Sequence, residues 1–76
     1  MPFQAGDVVV RARAARPRAL NMTLDVGTVG TVCRVVTDGS LYKVRFEGAP
    51  MCLSAFEDSL NMAPPGTAGP ECEADC

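Results

Sequence analysis

Apolar residues in this 76-residue chain fall in short blocks separated by turn-forming residues, the spacing of strands rather than helices. The densest region is 27–46, which reads Gly-Thr-Val-Gly-Thr-Val-Cys-Arg-Val-Val, Thr37-Asp38-Gly39-Ser40, then Leu-Tyr-Lys-Val-Arg-Phe. β-Branched and aromatic residues fill both halves and Asp-Gly lies between them, so the pattern predicts two strands joined by a turn. In the second half Tyr42, Val44 and Phe46 share one face and Leu41, Lys43 and Arg45 the other, which predicts that the first set faces the core. In the first half neither face is purely polar. Val29, Thr31, Cys33 and Val35 alternate with Val32, Arg34 and Val36, as expected of a long bent strand whose two halves turn different faces inward. Gly30 inside this strand is the kind of residue that marks a bend, a bulge or a close backbone approach.

Upstream, Gly6-Asp7 marks a turn and Val8-Val9-Val10-Arg11-Ala12-Arg13 an opening strand. Val8, Val10 and Ala12 lie on one face and Val9, Arg11 and Arg13 on the other, the pattern of a half-buried strand with one solvated side. Alternation stops between Ala14 and Val26, where Pro17 removes an amide donor and restricts Arg16. This stretch is expected to be a long loop anchored by Leu20, Met22 or Leu24. Downstream, Glu47-Gly48-Ala49-Pro50 is a turn, Met51–Ser54 a short strand, Ala55–Asp58 a single 3₁₀ turn and Ser59–Met62 a closing strand. From Ala63 onward, Pro-Pro-Gly-Thr-Ala-Gly-Pro followed by acidic residues reads as a disordered tail. The expected organisation is therefore one folded domain over 1–62 and an acidic, cysteine-containing tail over 63–76.

The residues Gly6-Asp7-Val8-Val9-Val10, Gly27-Thr28-Val29-Gly30-Thr31-Val32, Tyr42-Lys43-Val44-Arg45-Phe46 and Asp58-Ser59-Leu60 occur in a telling order. Strand, long loop, three strands with short connections, 3₁₀ turn and last strand together resemble the SH3-like small-barrel superfamily. The layout looks particularly like small bacterial or phage domains of uncharacterised function. The resemblance covers positions 3 to 62 and implies an all-β fold, a small five-stranded barrel with a long loop after the first strand. It implies little about function, because small barrels carry many unrelated tasks. Type II dihydrofolate reductases are also SH3-like barrels, with a pore-lining Val-Gln-Ile-Tyr segment on a late strand. Here Met51-Cys52-Leu53-Ser54 lacks both the Gln and the Tyr, so that activity does not carry over.

Composition narrows the picture further. With 47% hydrophobic and 21% charged residues the chain has the makings of one small core. No run is long enough to span a bilayer, and the N-terminal residues lack the layout of a secretory signal, so a cytoplasmic protein without a membrane partner is expected. The net charge of −2 is unevenly spread: Arg11, Arg13, Arg16 and Arg18 are grouped, whereas Glu71, Glu73 and Asp75 end the chain.

The chain contains no His, which removes the commonest general base, and its serines have no nucleophile-activating partner. No enzyme and no cofactor are expected. Cys33 and Cys52 lie in expected strands and are read as buried reduced thiols in preference to a disulfide or a site. Cys72 and Cys76 close Cys-Glu-Ala-Asp-Cys and are weak metal candidates, since four well-placed ligands are not evident. The arginines are the sharpest functional hint, guanidinium groups being suited to carboxylate and phosphate recognition. The expected role is a non-enzymatic protein-interaction or scaffolding module, with self-association as one version of it. Arg11, Arg13, Arg16, Arg18, Leu20 and Met22 are its candidate partner-binding residues. A nucleic-acid-associated factor using the arginine loop is the alternative. Near-neutral charge up to Met62 and few aromatics count against it.

Overall fold

The computed structural model describes residues 3–18, 21–36, 40–74 and 76. Five antiparallel strands form one sheet: β1 Val8–Arg11, β2 Val29–Val36, β3 Leu41–Phe46, β4 Leu53–Phe56 and β5 Leu60–Met62. Their order across the sheet is β4-β3-β2-β1-β5. The expected all-β, five-stranded architecture is present, but the sheet is not closed into a barrel: β4 and β5 form its two edges. These edges are nonetheless joined by a single 3₁₀ turn, Glu57–Ser59. A flat sheet would separate its outer strands by roughly 19 Å, whereas the link from Phe56 to Leu60 reaches at most about 14 Å. The sheet must therefore coil so that its edges approach each other. The expected turn Asp38-Gly39, with Thr37, lies outside the described residues. Among the described residues no helix is long and apolar enough to cross a membrane.

The core lies inside this coil. Val9, Val32, Tyr42, Val44 and Phe46 are its largest fully buried side chains, joined by Phe3, Leu24, Ala49, Ala55 and Leu60. The Phe3 ring meets Tyr42 edge-on with centroids 5.4 Å apart, the favoured arrangement for opposed ring quadrupoles. On β3 the alternation predicts the faces correctly, Tyr42, Val44 and Phe46 being buried. On β2 the two halves turn different faces inward, as the mixed pattern suggests, and the cause is a bulge. Val32 pairs with Val44 but Arg34 with Lys43, leaving Cys33 as the extra residue. Before it Gly30 and Val32 face the core; after it Val35 packs there, opposite Tyr42.

Three expectations are corrected. In β1 it is Val9 and Arg11 that are buried, and the strand ends at Arg11, so Arg13 is not on it. The fourth strand begins at Leu53 and includes Ala55 and Phe56. Its pairing with Leu41–Val44 of β3 sets those limits, and the 3₁₀ turn accordingly starts at Glu57. Third, the segment from Ala63 has no strand or helix yet is fastened down. The Ala63 N–H donates to the Val8 carbonyl (3.0 Å). A β-carbon at Gly69 would meet Thr31 Oγ1 and, at 3.2 Å, both Val8 methyls, so the backbone itself lies against the sheet. Glu73 pairs with Arg45 at 3.1 Å, and two disulfides follow. In sheet order the segment passes β1, β2 and β3 to the start of β4, a strap across the outer face. Disorder gives way because these contacts restrict a chain that has no core of its own.

Candidate functional site

The stretch after β1 is more ordered than its composition suggests. The Arg11 N–H donates to Thr28 O (2.9 Å) and the Gly27 N–H to Arg11 O (2.8 Å), so the stems stay paired beyond β1. Gly27 closes this stem with φ +89°, a conformation that side chains disfavour. Further out Ala15 and Leu24 exchange both backbone hydrogen bonds, at 2.9 and 2.7 Å. The loop is thus a narrow antiparallel excursion that folds Leu24 back into the core, at 2% exposure.

A groove of about 340 Å³ runs between this loop and the β3–β4 side of the sheet. Leu24, Phe46 and Leu53 supply its apolar lining, Ala15 and Pro17 continue it, and Arg16 and Arg18 stand beside it. Both of these arginines are exposed. Arg11 also lines the groove, but from within the protein. Only 7% of it is exposed, and its guanidinium carbon lies 5.7 Å from the centroid of the Phe46 ring. Nε donates to Arg13 O at 2.9 Å and Nη1 to Ser59 Oγ at 3.4 Å. Burial lowers the Arg11 pKa from its ordinary value, because desolvation disfavours the charged form. No carboxylate pairs with it among the described residues.

The arginine group therefore divides. Arg16 and Arg18 both stand at the groove. Arg11 is a buried cation that joins β1 to the loop and to the turn before β5, and Arg13 is exposed away from the groove lining. Met22 packs partly buried against the core, which makes it an anchor rather than an exposed contact. Leu20 lies outside the described residues. Sequence reasoning did not place Phe46, Leu53 and Ser54 at the groove. Its signal for Phe46 was alternation, which separates inside from outside but says nothing of a position at the rim of the core. A shallower hollow beside Ser40, Glu57 and Asp58 exposes 63% of Phe56.

The cysteines are the other convergence. Cys33 is bonded to Cys72, Cα atoms 5.6 Å apart, and Cys52 to Cys76, at 5.8 Å. The reading of Cys33 and Cys52 as buried reduced thiols is therefore corrected. The β2 bulge places Cys33 outside the core, Cys52 immediately precedes β4, and both meet the strap. Cys72 and Cys76 do not form a pair of their own; Cys72 is joined to the bulge cysteine of β2 and Cys76 to the cysteine before β4. The sulfurs of Cys33, Cys52 and Cys76 lie within 4.8 Å of one another. A polar hollow of about 440 Å³ beside Cys52 and Cys76 is lined by Arg34, Lys43, Pro50, Met51 and Glu73. Arg45, in addition to its Glu73 partner, donates to the Ala49 carbonyl, holding the β3–β4 turn and the strap together.

Comparison with family models, with curated proteins and with solved structures finds no match to this chain.

Proposed function

We propose that this chain is a non-enzymatic protein-interaction module of the SH3-like kind, and that its groove takes an extended acidic peptide. The observation that carries this reading is the lining of the groove. Partly buried Leu53 and Pro17 form an apolar floor over the buried Leu24 and Phe46, Arg16 and Arg18 flank it, and the desolvated Arg11 guanidinium adds positive charge at its base. An extended peptide presents alternate side chains to opposite sides. Apolar residues of such a ligand fill the floor while its carboxylates meet the arginines, whose planar forks suit bidentate pairing. The strand order, with a long loop between the first two strands and a 3₁₀ turn before the last, supports the SH3-like assignment. Among the described residues no strand pairs with the outer side of β4 beside Leu53 and Ser54, the kind of edge to which a peptide strand can add.

Fluorescence anisotropy tests this with three labelled probes: a peptide alternating Asp or Glu with Leu or Val, its lysine-substituted counterpart, and an oligothymidine strand. The acidic peptide is expected to bind, to weaken as salt is raised, and to lose roughly tenfold or more in affinity with Arg16→Ala/Arg18→Ala. Equal binding of the lysine peptide, no binding of the acidic one, or a clear preference for the oligonucleotide refutes the reading.

A further inference from the structure

We propose that Cys33, Cys52, Cys72 and Cys76 form a tetrahedral four-thiolate site for a soft divalent cation, zinc, occupied when the chain is reduced. The two disulfides tie the strap to different parts of the sheet, Cys33 in the middle of β2 and Cys52 just before β4. Two independent staples have no need to share one space. Yet sulfurs from both pairs, those of Cys33, Cys52 and Cys76, lie within 4.8 Å of one another. The fourth sulfur, on Cys72, is covalently attached to Cys33, so all four occupy one small volume. A tetrahedral zinc–thiolate site has metal–sulfur bonds of about 2.3 Å, which sets its sulfur–sulfur separations near 3.8 Å. Sulfurs released from two adjacent disulfides start close to that separation, with Cys72, bonded only to Cys33, the one that has farthest to move.

The positions of the ligands fit the same purpose. Cys72 and Cys76 have the short spacing of one ligand pair, and Cys33 from within β2 and Cys52 just before β4 bring the other two. The bulge in β2 takes Cys33 out of the regular ladder with β3, and bulges are a recurrent way to re-aim one side chain. Charge also agrees. A zinc ion with four thiolates carries two net negative charges. Arg34 and Lys43 line the hollow beside Cys52 and Cys76, and cations next to thiols favour the thiolate that a metal needs.

Opening both disulfides takes four electrons and four protons from a thiol-class reductant, giving four thiols. Zinc then replaces those four protons as it forms four metal–sulfur bonds, with no change of oxidation state at the metal. Where the surroundings keep thiols reduced, the metal holds the strap in place of the disulfides.

The experiment uses the full chain prepared without oxygen in the presence of a phosphine reductant. Zinc content is measured by elemental analysis, and the metal is exchanged for cobalt to read its coordination. One zinc per chain is expected, and the cobalt form should show intense visible absorption with sulfur-to-metal charge transfer, the signature of tetrahedral thiolate ligation. Cys76→Ser and Cys33→Ser should each weaken cobalt binding by no less than the about 10–100-fold seen on removing a ligand's supporting partner. The wild-type spectrum decides the matter if a variant does not fold. A reduced chain with four alkylatable thiols that takes up no metal overturns the proposal. So does a cobalt spectrum without thiolate charge transfer, or binding unchanged in both variants.

Discussion

Gly30 stands directly opposite Phe46 in the β2–β3 ladder, and the aromatic ring occupies the space a side chain at Gly30 would need. A β-carbon there would lie 2.8 Å from Phe46 Cδ1 and 2.7 Å from Val44 Cγ1. Val9 pairs with Gly30 from the other side, so Val9, Gly30 and Phe46 form one buried row across three strands. The absence of a side chain at Gly30 leaves room for the Phe46 ring and the Val44 methyl.

Gly30→Ala is therefore expected to destabilise the fold by about 1–3 kcal/mol through overpacking. Urea unfolding should show a lower midpoint with an unchanged slope. A midpoint equal to the wild type would mean that Val44 and Phe46 yield without cost.

Arg11 and Arg13 should behave differently despite their similar sequence setting. Arg11→Ala removes the donor to Arg13 O, the contact with Ser59 and the packing over Phe46, an expected loss of about 1–3 kcal/mol. Arg13 is exposed, and Arg13→Ala should change stability by less than about 0.5 kcal/mol. Thermal melts of the two variants side by side make the check. Equal effects would contradict the placement of Arg11.

Gly69→Val tests the strap. Its side chain would collide with Thr31 and Val8, lifting the segment while both cysteine links remain possible. A protease specific for glutamate should then cut after Glu71 faster than in the wild type, read by mass spectrometry after reduction. Unchanged cleavage would show that the strap is held by its cysteines alone.

Reductant together with a chelator should release the strap altogether. The Cys33–Cys72 link spans 39 residues and the Cys52–Cys76 link 24; closing either loop is worth about 3–4 kcal/mol in the chain-entropy model. The melting temperature should fall and proteolysis in 63–71 should rise, and zinc added back should reverse both. Stability indifferent to the treatment would remove the strap from any structural role.

Alternation was sufficient for β3, because its outer face carries Lys43 and Arg45, half-buried beside the strap, and side-chain polarity separates them directly from Tyr42, Val44 and Phe46. On β1 the three consecutive valines Val8, Val9 and Val10 were a sign that both faces are covered, by the core on one side and by the strap over Val8 on the other. Continuous apolar strands are the signature of burial on both faces, but nothing local in the sequence says which element provides the second cover. Arg11 misled for the same reason: a guanidinium on a strand reads as solvated until an aromatic ring and a carbonyl are found around it.

By itself, then, the sequence determined the succession of strands along the chain, the core face of β3, the bend within β2 and the presence of arginines on the long loop, all set by interactions between near neighbours. Tertiary structure alone decided that Arg16 and Arg18 share a groove with Phe46 and Leu53. It also decided that four cysteines spread from position 33 to 76 gather in one place. Those groupings depend on how the sheet coils and where the last residues cross it. Polarity and periodicity encode which way a side chain points, not which distant residue it will meet.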